Sequence, residues 1–233
     1  MEDSLKKVLK KNKTLYYLFN KIRSKKYEYN FNKRIKSIKK NGNATVEIIE
    51  KALTKSGLTY FATCGTLLGL IRENRLLNND YDLDYAIKIN DQGDWNRLLI
   101  ELECVGFKKI REFTYNNKIT EQTYRHKNGI EIDFFGHFII NEEMCFYSYD
   151  KIYNVNYPSD EYWSVYILIN GAFEGTKKIN TDIGTVTVPS NAEEYLTYNY
   201  NDDWMTPNPN FKANTGKGCH IIEDEYGVLV NYE

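Results

Sequence analysis

The chain has 233 residues, 42% of them hydrophobic, with a net charge of −1 and four cysteines. That length supports one sizeable core, or a core with a small appendage. No run of about 18 apolar residues is present, which excludes a membrane-spanning helix, and the opening "MEDSLKKVLKKNK" lacks the apolar stretch of a secretory signal. Cys64, Cys104, Cys145 and Cys219 form no C-x-x-C pair, so reduced, mostly buried thiols in a cytoplasmic protein are expected, rather than a zinc site or a disulfide framework.

Charge is unevenly placed. Up to Lys40 there are 14 Lys and Arg against 3 Asp and Glu, a balance of +11, which leaves −12 for the rest. Such an arm is either a solvated helical face or a surface for an anionic membrane or a partner. The acidic remainder would repel phosphate, so nucleic acid is not an expected partner.

In chain order, residues 4–26 place Leu5, Val8, Leu9, Leu15, Leu18, Phe19 and Ile22 at helical spacing, with an interruption near Asn12. Residues 29–58 continue as a longer helix with Ile35, Ile38, Val46, Ile49 and Leu53 inward, broken or kinked at Gly42–Asn43 and stopped by Gly57. "LTYFATCG" reads as a short buried strand and "TLLGLIRENR" as a helix starting directly after Gly65. "DYDLDYAIKI" is a second strand, and residues 90–105 a helix with Trp95, Leu98, Leu99 and Leu102 on one face, ended by Gly106. "FKKIREFTY", "EQTYRHKNG" and "IEIDFFGHF" follow as strands, with turns at "NKIT" and Asn128-Gly129. Short strands fill residues 140–184, "GTKKINTDIGTVTVP" being the clearest pair. Ser190, with Glu193 three residues on, has the spacing of a capping box for a helix over "SNAEEYLTYNY", and the tail beyond Trp204, with Pro207 and Pro209, is expected to wrap the surface.

The chemistry concentrates in three places. Asp80, Asp82 and Asp84 alternate, and alternating strand positions share a face. Three crowded carboxylates repel one another unless a cation compensates them, and hard oxygen ligands suit Mg²⁺ or Mn²⁺. Asp133, followed by Phe134 and Phe135 on a later strand, would complete a metal-binding triad with Asp82 and Asp84. Gly65 and Thr66 stand between a strand and a helix N-terminus, where free N–H groups favour a phosphate, and Arg72 lies two turns on. His126, His137 and His220 are too scattered to share a metal and read as surface or core residues.

The order strand, Gly-Thr, helix, D-x-D strand, then a single Asp on a later strand resembles a nucleotidyltransferase fold. The stretch "YFATCGTLLGLIRENRLLNNDYDLDYAI" is similar to the LicD/fukutin family of phosphotransferases, whose pattern runs approximately G-T-L-L-G-x-x-R, a spacer, then W-D-x-D-[IV]-D. The resemblance extends to "IEIDFFG" and to "VPSNAEEYLTYNYNDDWMTP", and so spans roughly residues 58–207. Asn79 stands where the family usually has Trp, and Asn201 where it often has Gly.

The resemblance implies an α+β fold: a nucleotidyltransferase-like mixed sheet flanked by helices in residues 57–233, behind a basic helical extension, residues 1–56. It implies a metal-dependent transferase that moves a phosphorylated alcohol, such as phosphocholine or ribitol phosphate, from a CDP-linked donor to a hydroxyl of a glycan or lipid-linked glycan, releasing CMP. Capsule, lipopolysaccharide and teichoic acid are acceptors of this kind. Asp82, Asp84 and Asp133 would hold Mg²⁺ or Mn²⁺, with Asp133 or Asp80 taking the acceptor proton. Gly65, Thr66 and Arg72 would meet the donor phosphates, and Tyr200 and Trp204 would line a substrate pocket. The protein would work in the cytoplasm, at the inner membrane surface if the basic arm rests there. A GT-A glycosyltransferase also uses D-x-D but lacks the Gly-Thr helix, and another nucleotidyltransferase would release pyrophosphate. A binding protein that kept the fold without chemistry is disfavoured by the intact aspartates.

Overall fold

In a computed structural model, residues 13–232 are described. They open with one helix, α1 (Lys13–Ser56), where two were expected. The expected interruption at Asn12 lies outside the described residues. Gly42 and Asn43 do not break α1, because Gly42 serves contact: a Cβ there would lie 2.7 Å from Leu76 Cδ1. Ile38, Val46, Ile49 and Leu53 form its buried stripe, and Gly57, at φ +69°, stops it.

Strand β1 (Tyr60–Ala62) and helix α2 (Cys64–Glu73) follow, then β2 (Leu83–Lys88). The strand is shorter than expected: Asp80 and Asp82 precede it, and only Asp84 lies within it. Asp80 closes a turn instead, its N–H donating to Leu77 O (3.2 Å) and its Oδ2 accepting from Leu77 N–H (3.0 Å). Short acidic side chains favour such turns over strands. Helix α3 (Gly93–Cys104) buries Trp95, Leu98 and Leu102 and ends before Gly106.

Strands β3 (Phe107–Tyr115), β4 (Lys118–His126) and β5 (Glu131–Ile140) are successive and antiparallel. The first turn is Asn116–Asn117 alone, both at positive φ, so Lys118–Thr120 are strand rather than loop. Strands β6 (Glu143–Asp150) and β7 (Tyr162–Ala172) are longer than expected, and β8 (Thr176–Thr181) pairs with β9 (Gly184–Pro189) as a separate hairpin. Helix α4 (Ala192–Tyr200) has Asn191 at its N-cap, not Ser190. Ser190 is tied to the hairpin, its N–H donating to Gly175 O (2.9 Å) and its carbonyl accepting from Lys177 (2.8 Å). The tail does not simply wrap the surface: Cys219–Asn231 form β10, inserted between β3 and β7.

The main sheet has the order β1-β2-β5-β4-β3-β10-β7-β6, and β6 also pairs with the end of β5. Strands β3 to β7 and β10 thus close into a ring, with β1 and β2 as a flange. β2 and β5 run parallel and the other pairs antiparallel. Leu83, Tyr85 and Ile87 join Ile132, Phe134, Tyr124 and the buried stripes of α1 and α3 in one core. On the opposite face Ala86 meets α2 and α4 through Leu67, Leu68, Tyr195 and Leu196. The fold is a mixed α+β sheet flanked by helices, and the second half of α1 is built into its larger core. None of the described helices is long and apolar enough to cross a membrane. The four thiols are unpaired, but only Cys145 is buried, against the expectation for most of them. His126 and His137 are buried and His220 is exposed.

Candidate functional site

Register builds the site. Asp84 faces Asp133 across the parallel pair β2–β5, Asp133 faces Thr123 on β4, and Thr123 faces Arg111 on β3. Directly opposed residues project to one face, so a row of side chains crosses four strands. Thr123 Oγ1 donates to Asp133 Oδ1, Arg111 Nε donates to Thr123 Oγ1 (2.7 Å), and Arg111 Nη2 reaches Asp133 Oδ1 at 3.2 Å. Two residues along the same strands, on the same face, stand Glu121 and Glu131. Arg125 holds Glu131 through Nε (3.0 Å) and Nη2 (2.7 Å). Glu121 is buried, and desolvation with the Asp133 charge pushes its carboxyl up to about 8.

Helix α2 meets this row at Asp84. The Asp84 N–H donates to Thr66 Oγ1 (2.9 Å), and the Thr66 N–H donates to Asp84 Oδ2 (3.4 Å). Gly65 lets the acids come close: a Cβ there would lie 3.2 Å from Asp84 Oδ2 and 3.6 Å from Asp80 Oδ1. The amides read from the sequence as a phosphate cradle therefore face a carboxylate, and the Thr66 hydroxyl engages β2 rather than capping its own helix. Cys64, the first residue of α2, sits at φ +44°, a left-handed conformation that costs a non-glycine residue of order 1–3 kcal/mol. Behind it, Thr63 Oγ1 and Tyr195 Oη lie 2.7 Å apart, and His137 Nε2 lies 2.8 Å from Tyr195 Oη. Burial holds His137 neutral, down to about 3.

The acids are crowded. Burial, then Asp84 and Asp133, raise the Asp82 carboxyl well above its usual range; burial, then Asp133 and Asp80, do the same to Asp84. Asp80 is pushed up to about 6, chiefly by burial. Among the described residues no three acids, thiols or imidazoles are gathered closely enough to enclose a metal ion. Asp82 is turned to Arg34 (3.4 Å), Asp84 to the α2 amides, and Asp133 to Arg111. The donor set nevertheless suits a hard divalent cation: all oxygen, mutually repelling, on adjacent elements.

Arg72 Nη1 donates to Trp204 O (3.2 Å) and Nη2 pairs with Glu73 (3.2 Å), while its buried Nε has no partner among the described residues. Trp204 packs with Leu67, Leu68 and Tyr195 in the smaller core. Tyr200 stands nearer the acids: burial, then Cys64 and Asp84, raise its hydroxyl well above the usual range. Its ring lies 4.8 Å from that of Phe211. The structure thus brings together Gly65, Thr66, Asp80, Asp82, Asp84, Asp133 and Tyr200; Arg72, in the last turn of α2, is close enough for its charge to act on Asp80, and Trp204 packs against α2.

The sequence reading missed Arg34, Arg111, Glu121, Thr123 and Glu131. Glu121, Thr123 and Arg125 do carry a signal, since they alternate as a polar face on a strand that should be half-buried. Arg34 carries none, being one cation among many in α1.

The chain is similar to known proteins by three comparisons. Residues 57–171 match the profile of the LicD/FKTN/FKRP nucleotidyltransferase domain. The uncharacterized protein RP689 of Rickettsia prowazekii (strain Madrid E) is 34% identical over 64 residues, 28% of this chain and 24% of that protein. The protein ANT(2")-Ia, solved in complex with adenylyl-2"-tobramycin, is 14% identical with a TM-score of 0.41, covering 68% of this chain and 73% of its own. The lincosamide antibiotic adenylyltransferase LnuA, solved with lincomycin, is 12% identical with a TM-score of 0.39, covering 66% and 87%. Likenesses this distant carry nothing about this chain's chemistry. The family match runs from β1 to residue 171, within β7, and includes every carboxylate of the site. Over residues 57–171, the chain belongs to the LicD/FKTN/FKRP nucleotidyltransferase family.

Proposed function

We propose that the protein transfers a phosphorylated alcohol from a CDP-linked donor to a hydroxyl of a glycan or lipid-linked glycan. The acceptor oxygen bonds to the phosphorus that carries the alcohol, and the bond from that phosphorus to the bridging oxygen breaks. CMP leaves with the electron pair, and the acceptor proton passes to a carboxylate. The observation that carries the reading is the facing pair Asp84–Asp133, beside the α2 N-terminus and next to Asp82 and Asp80. Asp82, Asp84 and Asp133 would hold Mg²⁺ or Mn²⁺, which when bound supplies positive charge to a diphosphate that would otherwise be repelled. Gly65 leaves room for the donor phosphates, and the buried Arg72 Nε–H, without a partner among the described residues, supplies a donor for anionic oxygen. Asp133, gripped by Arg111 and Thr123, is held in a fixed orientation, and it is the carboxylate assigned to the acceptor proton.

The test is incubation with a panel of CDP-alcohols, a glycan acceptor and Mg²⁺ or Mn²⁺, analysed for products. CMP with a phosphoalcohol-bearing acceptor is expected. Nucleoside diphosphate would indicate glycosyl transfer instead, and pyrophosphate would indicate nucleotide transfer.

The first half of α1 supports work at a membrane surface on the cytoplasmic side. Tyr17, Ile22, Tyr27 and Tyr29 are exposed there among Lys21, Arg23, Lys25 and Lys26. Basic residues near anionic lipid contribute about 1 kcal/mol each, and aromatic rings suit the interface. Cosedimentation with anionic but not neutral vesicles is the expected result.

A further inference from the structure

We infer that Arg34, on α1 and outside the family-matched stretch, is a positioning residue for the carboxylate site. Asp82 needs such a partner. It precedes β2, so no sheet pairing holds it, whereas Asp84 is fixed by register with Asp133 and by Thr66. The Asp82 carboxylate receives Arg34 Nη2 at 3.4 Å, and the Tyr81 carbonyl receives Arg34 Nε at 3.2 Å. The same guanidinium lies over the Tyr81 ring, 4.7 Å from its centre, and that ring packs on Phe31 at 5.0 Å. From the other side Glu131 Oε2 holds Arg34 Nη2 at 2.8 Å, and Glu131 is itself held by Arg125. One planar cation therefore connects α1, the D-x-D approach and the start of β5.

Lysine has the charge but not the fork. Asp82 and Glu131 share Arg34 Nη2 while the Tyr81 carbonyl takes Nε, and the single nitrogen of an ammonium cannot stand at both places or stack as a plane on the Tyr81 ring. The role is geometric, so the conservative variant should fail like the truncation. Ser37 provides the control: one turn further along α1, its hydroxyl donates to Asn128 O (2.9 Å), docking the helix on the sheet away from the aspartates.

Arg34→Ala, Arg34→Lys and Ser37→Ala are compared by hydrogen exchange and by turnover. Both Arg34 variants should raise exchange of the 78–82 amides at least tenfold, leave 84–88 unchanged, and lower kcat for CMP release at least tenfold with donor KM within twofold. Ser37→Ala should leave exchange at 78–82 and kcat within twofold of the parent. Unchanged exchange at 78–82 in Arg34→Ala, retained kcat in Arg34→Lys, or parallel losses in Ser37→Ala would each overturn the assignment. The kinetic comparison rests on the CDP-alcohol reading and the exchange comparison does not. A parent protein that releases no CMP while the exchange pattern holds would remove that reading and leave Arg34 as the residue that pins Asp82.

Discussion

A carboxylate placed among carboxylates is a liability to the free protein. Desolvation and mutual repulsion oppose ionisation of Asp82 and Asp84, so Asp82→Asn and Asp84→Asn should melt at or above the parent temperature while nearly all transfer activity is lost. Thermal melts and product assays on the same samples check both halves. Asp133→Asn separates two roles. If the carboxylate takes the acceptor proton, turnover falls by about a hundredfold or more and added metal does not restore it; full rescue across a metal titration would leave Asp133 only a ligand. The raised acids also set a pH slope. Asp80 and Glu121 hold their protons more tightly folded than unfolded, up to about 6 and about 8. Their stabilising contribution is complete below the ordinary carboxylate range and is lost as pH rises through those values. The metal-free protein should therefore lose stability between about pH 4 and 8, and Glu121→Gln should flatten the upper part of that slope in urea titrations.

At the scale of elements, legibility followed the local physics. β2, β5, α2 and α3 could be read because their apolar periodicity agrees with their burial. Gly42 could not, because a helical glycine looks like a break until Leu76, 34 positions away in the chain, is seen against it. Gly42→Val should cost about 1–3 kcal/mol, the range for overpacking a fitted contact, and the loss should shrink in a Leu76→Ala background; a double-mutant cycle in urea measures that coupling. β10 was missed for another reason. Glu223, Asp224 and Glu225 interrupt its alternation, and in the structure they lie where its pairing with β7 shifts register between Ile222 and Tyr226, with Asp224 at φ +57°. A bulge is invisible to a period-two reading. The D-x-D segment was legible as chemistry but not as strand, since a turn claimed Asp80. Asp133 could be found because an acid beside Phe134 and Phe135 has no ordinary reason to be there, whereas Arg34 depends entirely on tertiary placement.

Across the whole molecule, the basic first half of α1 stands beside a body of opposite charge, the second half of the same helix enters the core, and Arg34 at its middle reaches the site. Any surface that α1 binds is thereby connected, through one continuous element, to the segment carrying Asp82. The ring of strands has a different consequence, one of timing. Among the described residues β10 is the last strand in sequence, yet it sits between β3 and β7. A nascent chain that has not yet reached residue 219 leaves both neighbours with open hydrogen-bonding edges, the usual templates for aggregation. Ending the chain at residue 218 should give mostly insoluble protein, and adding residues 219–232 as a separate peptide during refolding should recover a soluble fraction, measurable by size-exclusion chromatography. Synthesis of this protein thus passes through a vulnerable interval that closes only when β10 takes its place between β3 and β7.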